Sequence, residues 1–251
     1  MSRLDFTSHR LWVDDPLAEG ATVELTRQQA NYLQNVLRLG DGAQLLVFNG
    51  RDGEWRAALA PQGKKSAALR VMAQSRPQED LPDLDYLFAP LKHARLDYMA
   101  QKAVEMGARR LRPVLTRRTQ ASRVNLERMR ANVVEAAEQC GLLALAEVLE
   151  QEKLESALAN WPRDRLLVFC DEAAEIADPV AALRAAGVGF AKFAVLIGPE
   201  GGFDESERAL LARIAPIARI SLGPRVLRAD TAAVAALALV QAVLGDGRSL
   251  S

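Results

Sequence analysis

The residues best placed to do chemistry stand in two short runs. The first, Val195 to Glu207, reads VLIGPEGGFDESE. An apolar stretch stops at Gly198, Glu200 and glycines 201 and 202 follow, and Asp204, Glu205 and Glu207 come next. A glycine turn from strand into helix is the usual cradle for a nucleotide phosphate, because bare backbone can approach closely and a helix N-terminus attracts anions. This turn has four acids and no lysine, and it matches neither G-x-G-x-x-G nor G-x-x-x-x-G-K-[ST]. Asp204 with Glu207 makes an aspartate variant of the capping box, so the positive end of the helix is already matched by internal carboxylates. Such a turn suits a neutral or cationic ligand. The second run, SLGPRVLRADTAAVAAL from Ser221, also ends an apolar stretch in Gly-Pro and then presents Arg225 and Arg228. An isolated glycine cluster is usually a plain turn. Two Gly-Pro loops at the carboxyl ends of strands in one parallel sheet would instead make one pocket, since ligands bind there.

A third stretch bears on the partner. The chain's 32 basic and 32 acidic residues cancel. Between Arg109 and Arg130, however, eight arginines face one acid, Glu127, so this window carries +7 and the remainder −7. Charge runs are most often solvated faces, but a one-sided run of arginine suits phosphates, and an anionic partner is expected. The two cysteines, Cys140 and Cys170, are far apart and there are two histidines, which argues against a metal site and for a reducing cytoplasm. The start has no apolar signal core, and no run reaches the roughly 18 apolar residues of a membrane span.

These runs need elements to hold them. The 251 residues correspond to about 1.7 domains. Through residue 74 the chain shows short, partly alternating runs (ATVEL, AQLLVFNG, EWRAALA, SAALRVMAQ) divided by glycine turns, which predicts a small β-barrel. One helix interrupts it from Thr26 as N-cap to Gly40 as stop. Residues 75–85 read as a linker. From residue 86 to 251 strands alternate with helices, which predicts an α/β domain with a mostly parallel sheet. From Thr231 to Leu244, 12 of 14 residues are apolar. A helix with so little polar face is expected to pack against both its own core and a second subunit.

IGPEGGFDESE and LGPRVLRADTA together resemble the paired signatures of the RsmE family, the 16S rRNA uridine-N3 methyltransferases of the trefoil-knotted SPOUT class. KHARLDYMAQKAVEMGARRLRPVLTRRTQ and EAAEQCG resemble its middle segments, and LQNVLRLGDGAQLLVFNGRDGEW its N-terminal PUA-like barrel, so the likeness spans nearly the whole chain. The resemblance implies S-adenosylmethionine as methyl donor, bound in a deep knot, a homodimer, and 16S rRNA of the small ribosomal subunit as substrate. Carried over by residue, the donor pocket takes Leu196, Ile197, Gly198, Glu200, Gly201 and Gly202. It also takes Ser221, Leu222, Gly223, Arg225, Val226 and Leu227, with Phe169 and Cys170 facing it. Arg10, Arg38, Arg95, Arg117, Arg118 and Arg123 are the expected RNA contacts. The chain departs from the family at Asn31, often His; at Leu142, often Arg; and at Asp230, usually Glu.

Methylating uridine N3 requires its proton to leave, with charge spreading onto two carbonyl oxygens. Arg228 is the expected cation for that charge, with a salt bridge to Asp230 or Glu200 as its competing role. Glu200 and Asp230 are the candidate proton acceptors, unless water serves. Two alternatives stand beside this reading: a SPOUT enzyme acting on another RNA position, and a non-catalytic RNA-binding protein with this fold.

Overall fold

The computed structural model describes residues 5, 7–63, 66–92, 94–120, 123–174 and 178–246. His93 of the KHARLD segment and the first four residues lie outside them. The chain divides into two compact units: residues 1–80 with 137–145, and residues 81–136 with 146–251.

In the first unit the strands are β1 (Arg10–Trp12), β2 (Thr22–Glu24), β3 (Gln44–Phe48), β4 (Glu54–Pro61) and β5 (Ala67–Arg76). They pair in the order β1-β3-β4-β5-β2, antiparallel except β1 with β3. The sheet is a curled half-barrel, with β1 and β2 at the ends of the order. Two register shifts between β4 and β5 supply local bending. The core is aliphatic, with Leu11, Val23, Leu33, Leu45, Val47, Leu59 and Leu69 buried together. The helix α1 (Arg27–Asn31) starts at a Thr26–Gln29 capping box and continues as a π-helical turn, Tyr32–Val36. It ends before the expected Gly40 because Arg38 adopts φ 56°, a left-handed conformation that stops a helix, and the Leu39 N–H bonds the Leu33 carbonyl at 2.9 Å.

The second unit contains β6 (Leu84–Phe88), α2 (Ala94–Glu105), β7 (Arg110–Leu115), α3 (Leu126–Cys140), β8 (Glu147–Val148) and β9 (Glu152–Lys153). It continues with α4 (Leu154–Leu158), β10 (Arg165–Cys170), α5 (Pro179–Ala186), β11 (Lys192–Ile197), α6 (Glu205–Leu211), β12 (Ile217–Ile220) and α7 (Ala229–Val243). The last residues of α3 group with the first unit. All pairings in the second sheet are parallel, in the order β12-β10-β11-β6-β7-β8, with β9 on β7. Parallel strands buried on both faces read as continuous apolar runs, and β6 and β10 are buried at every position.

At the amino ends of these strands sits an ion cluster. Arg110 pairs with Asp83 and Asp85, Arg112 with Asp85 at 3.2 Å and Glu152 at 3.3 Å, and Arg165 with Asp83 at 2.8 Å. Burial alone would raise the Asp83 pKa, and the bonds from Arg165 and Arg110 more than offset it, leaving it lowered. Two of the eight arginines in the basic window, Arg110 and Arg112, are therefore neutralised inside the fold, at the end of the sheet opposite the strand carboxyl termini.

Candidate functional site at the carboxyl ends of three strands

Three loops follow β10, β11 and β12, and they line one cavity of about 640 Å³. Because β10 lies between β11 and β12, the two Gly-Pro loops are not neighbours. The loop after β10, Asp171–Ala174, stands between them, and Ala229 and Ala232 of α7 complete the wall. Ile197, Gly198, Glu200, Gly201, Gly202, Ser221, Leu222, Gly223, Arg225, Val226 and Leu227 all line the cavity as expected from sequence. Leu196 and Phe169 do not: both are packed in the apolar core beneath the sheet. Cys170 does line it, and burial pushes its thiol up to about 12, so it is a neutral wall group. Asp171 and Glu172 were missed. The only signal for them was an acidic pair directly after the apolar run RLLVFC.

The acids after β10 are held by arginines. Asp171 has a fully buried side chain and pairs with Arg219 at 2.6 Å and Arg208 at 3.1 Å, while Glu172 pairs with Arg208 at 2.6 Å. Glu172 also explains a glycine. Gly202 has φ +67°, and a Cβ there would fall against the Glu172 carboxylate. Gly198 is similar: its Cβ would meet the Phe203 ring, which packs edge-on to Phe169 at 5.1 Å. The α6 capping box forms as predicted, with the Glu207 N–H donating to Asp204 Oδ1 at 2.8 Å and the Asp204 N–H to Glu207 Oε2 at 2.9 Å.

The basic loop after β7 fastens onto this turn. Arg117 donates its backbone N–H to Glu207 at 2.8 Å and pairs its guanidinium with Asp204 at 3.2 Å. Arg118 donates to the Gly201 carbonyl at 2.6 Å. Both side chains remain exposed, as do Arg38 and Arg123. Arg10 is different. It is buried and bonded to Glu54 at 3.0 Å, so it is a core ion pair and not a free phosphate contact.

Arg95 is also committed. Its guanidinium grips Asp230 through two bonds of 3.0 and 3.2 Å and reaches Glu200 as well. This bond from Arg95 is the main reason the Asp230 carboxyl is held below its ordinary range. Arg95 thus takes the ion pair that was Arg228's competing role. Arg228 occupies the N-cap position of α7, makes no side-chain cap and is exposed, with no ion-pair partner among the described residues. Arg228 and Asp230 do not line the cavity, but each is next in sequence to Ala229, which does. The three departures have local roles: Asn31 accepts from Asn35 at 2.9 Å, Leu142 packs on the Phe48–Ala137–Leu143 cluster, and Asp230 holds Arg95.

Known proteins share this architecture. Residues 78–241 match the RNA methyltransferase domain, and residues 25–72 match the RNA methyltransferase PUA domain. Ribosomal RNA small subunit methyltransferase E of Rickettsia conorii is 30% identical over 93% of this chain and 95% of its own length. The Synechocystis sp. protein of that name is 33% identical over 94% of this chain and 78% of its own. The crystal structure of ribosomal RNA small subunit methyltransferase E from Neisseria gonorrhoeae, bound to S-adenosylmethionine, superposes with a TM-score of 0.81 at 26% identity, covering 95% of this chain and 99% of that one. A Legionella pneumophila protein in complex with the cofactor S-adenosylmethionine gives 0.79 at 27% identity, covering 94% and 97%. With two domain matches in tandem and relatives aligned over nearly its whole length, the chain belongs to the ribosomal RNA small subunit methyltransferase E family.

Proposed function

We propose that this protein methylates N3 of a uridine in 16S rRNA of the small ribosomal subunit, using S-adenosylmethionine, in the cytoplasm. The observation that carries the donor assignment is the cavity wall. It is built from three strand-end loops whose glycines expose backbone, with Asp171, Glu172, Glu200 and Arg225 on it and no lysine among the described residues. Backbone exposed by glycine takes a neutral or cationic ligand closely, and the lining has neither the lysine nor the glycine spacing of a triphosphate site. The residues holding the donor would be Ile197 to Gly202, Ser221 to Leu227, and the loop after β10. S-adenosylmethionine supplies, when bound, an electrophilic methyl group carried on sulfur.

The chain's own residues must manage a proton and a charge. Loss of the uridine N3 proton leaves negative charge on O2 and O4. Arg228 is suited to receive one of these oxygens, because its always-charged guanidinium is exposed and has no ion-pair partner among the described residues. Glu200 and Asp230 are the candidate proton acceptors, with water or hydroxide as the alternative, and Arg95 pairs with both. Arg117, Arg118 and Arg123 contribute to binding rRNA phosphates.

The same reading includes a homodimer and a trefoil knot. For the dimer, α7 buries one face (Ala229, Ala233, Ala236, Leu237, Val240) yet leaves Thr231, Ala238 and Ala242 exposed on an uncharged opposite stripe. The knot enters this reading from the family's fold alone.

Thermal unfolding with added S-adenosylmethionine tests the donor site. A ligand at 100 times its dissociation constant stabilises by about 2.7 kcal/mol. No rise in Tm, together with no methyl transfer to small subunits from a strain lacking the enzyme, would overturn the assignment.

A further inference from the structure

The second unit has another cavity, of about 480 Å³, between the start of α2, the start of α3 and the segment after β7. Its floor is apolar: Leu91, Leu96, Ala100 and Met129. Lys92 and Arg123 stand on its rim, both exposed, and neither has an ion-pair partner among the described residues. The acid in the wall, Asp97, is already satisfied, accepting from Arg128 and from Asn132, each at 2.9 Å. The site therefore presents two uncompensated positive charges over an apolar floor. Gln120 adds an exposed amide that can bond a base edge.

This combination fits a nucleotide: an apolar surface for the flat base, cations for the phosphate, and an amide for the polar edge. It does not fit an acidic peptide as well, because a peptide carboxylate would leave the floor without a planar occupant. The cavity is also linked to the donor site through a single helical turn. Leu96 and Asp97 face it, while their neighbour Arg95 reaches Glu200 and Asp230 beside the donor cavity. An RNA strand with its target base at the donor cavity can therefore place a flanking nucleotide here.

We propose that this cavity binds one nucleotide flanking the methylated uridine, with its phosphate between Lys92 and Arg123 and its base on the Leu96–Met129 floor. The proposal rests on the rRNA methyltransferase reading above. Small ribosomal subunits from a strain lacking the enzyme serve as the probe, in binding titrations at several salt concentrations and in methylation kinetics. Losing one phosphate contact flattens the salt slope by roughly 0.7–0.9, so Lys92→Ala/Arg123→Ala should flatten it by about that amount and raise KM. S-adenosylmethionine affinity should stay as in wild type. Leu96→Trp, at a half-buried position, should fill the groove and raise KM while leaving the salt slope unchanged. An unchanged slope and KM in the double variant would overturn the subsite, as would a Leu96→Trp enzyme with wild-type KM. Failure of the wild type to bind S-adenosylmethionine would instead overturn the methyltransferase reading, so the two failures are distinguishable.

Discussion

Glycine is required at position 202 by its backbone. Its φ of +67° is costly for any residue with a Cβ, and a Cβ would also push aside the Glu172 carboxylate that lines the cavity. Gly202→Val should therefore displace the turn and abolish S-adenosylmethionine binding while circular dichroism stays native, and calorimetry with unchanged affinity would contradict the assigned pocket. Arg228 shows the opposite situation, a cation with no ion-pair partner among the described residues. If it stabilises charge on a uracil oxygen, Arg228→Ala should slow the chemical step by roughly 10²–10³, as does loss of one oxyanion donor, with donor affinity unchanged. Single-turnover methylation of small subunits at saturating donor measures this, and a rate within threefold of wild type would end the proposal. Arg95 could not be told from Arg228 by residue type. Both precede acids by short spacings, and only their positions on α2 and α7 decide which one is neutralised.

At the scale of elements, the β4–β5 hairpin depends on one buried carboxylate. Glu54 accepts from Arg10 at 3.0 Å, Arg76 at 3.0 Å and Ser75 at 2.8 Å. Burial alone would raise its pKa, but the bonds from Arg76, Ser75 and Arg10 outweigh burial and leave it lowered. A carboxyl whose folded pKa lies below its unfolded value adds stability that is present above the ordinary carboxylate range and lost as pH falls through the lowered value. Glu54→Gln should thus cost about 3–5 kcal/mol at neutral pH, as for breaking a buried pair, and should flatten the loss of stability on the acid side. Urea titrations from neutral to acid pH test both, and an equally steep acid limb in the variant would refute the role. The α6 turn is a second element-scale unit. Its capping box, Arg117 and Arg118 tie the loops after β7 and β11 together, so the donor turn is braced by side chains from the basic window.

For the whole molecule, the uncharged outer stripe of α7 is the feature that one chain does not explain. A dimer burying Thr231, Ala238 and Ala242 would cover it, and small side chains allow the close helix approach this needs. Light scattering at micromolar concentration should give twice the chain mass of 27.4 kDa, and a particle of 27.4 kDa would exclude the dimer. Arg residues introduced at Ala238 and Ala242 should shift it toward monomer without unfolding it.

The sequence alone determined the strands and helices that carry the site loops, though not the short β1, β8, β9 and α4. Apolar runs of strand length, the Asp178 and Asp204 caps and the two Gly-Pro turns are local signals, set by neighbours within a few residues, and the strands and helices they predicted are present. Tertiary structure decided what depended on strand order and long-range pairing. The placement of β10 between β11 and β12 brought Asp171 and Glu172 into the pocket and separated the Gly-Pro loops. The grouping of residues 137–145 with the first unit set Leu142 against Phe48, where an apolar residue belongs. The +7 window was reduced because two of its eight arginines, Arg110 and Arg112, lie on a strand beside Asp83 and Asp85, more than 20 residues earlier in the chain. A charge count along the sequence cannot register that neutralisation, since Coulomb interactions follow distance in space and not separation along the chain.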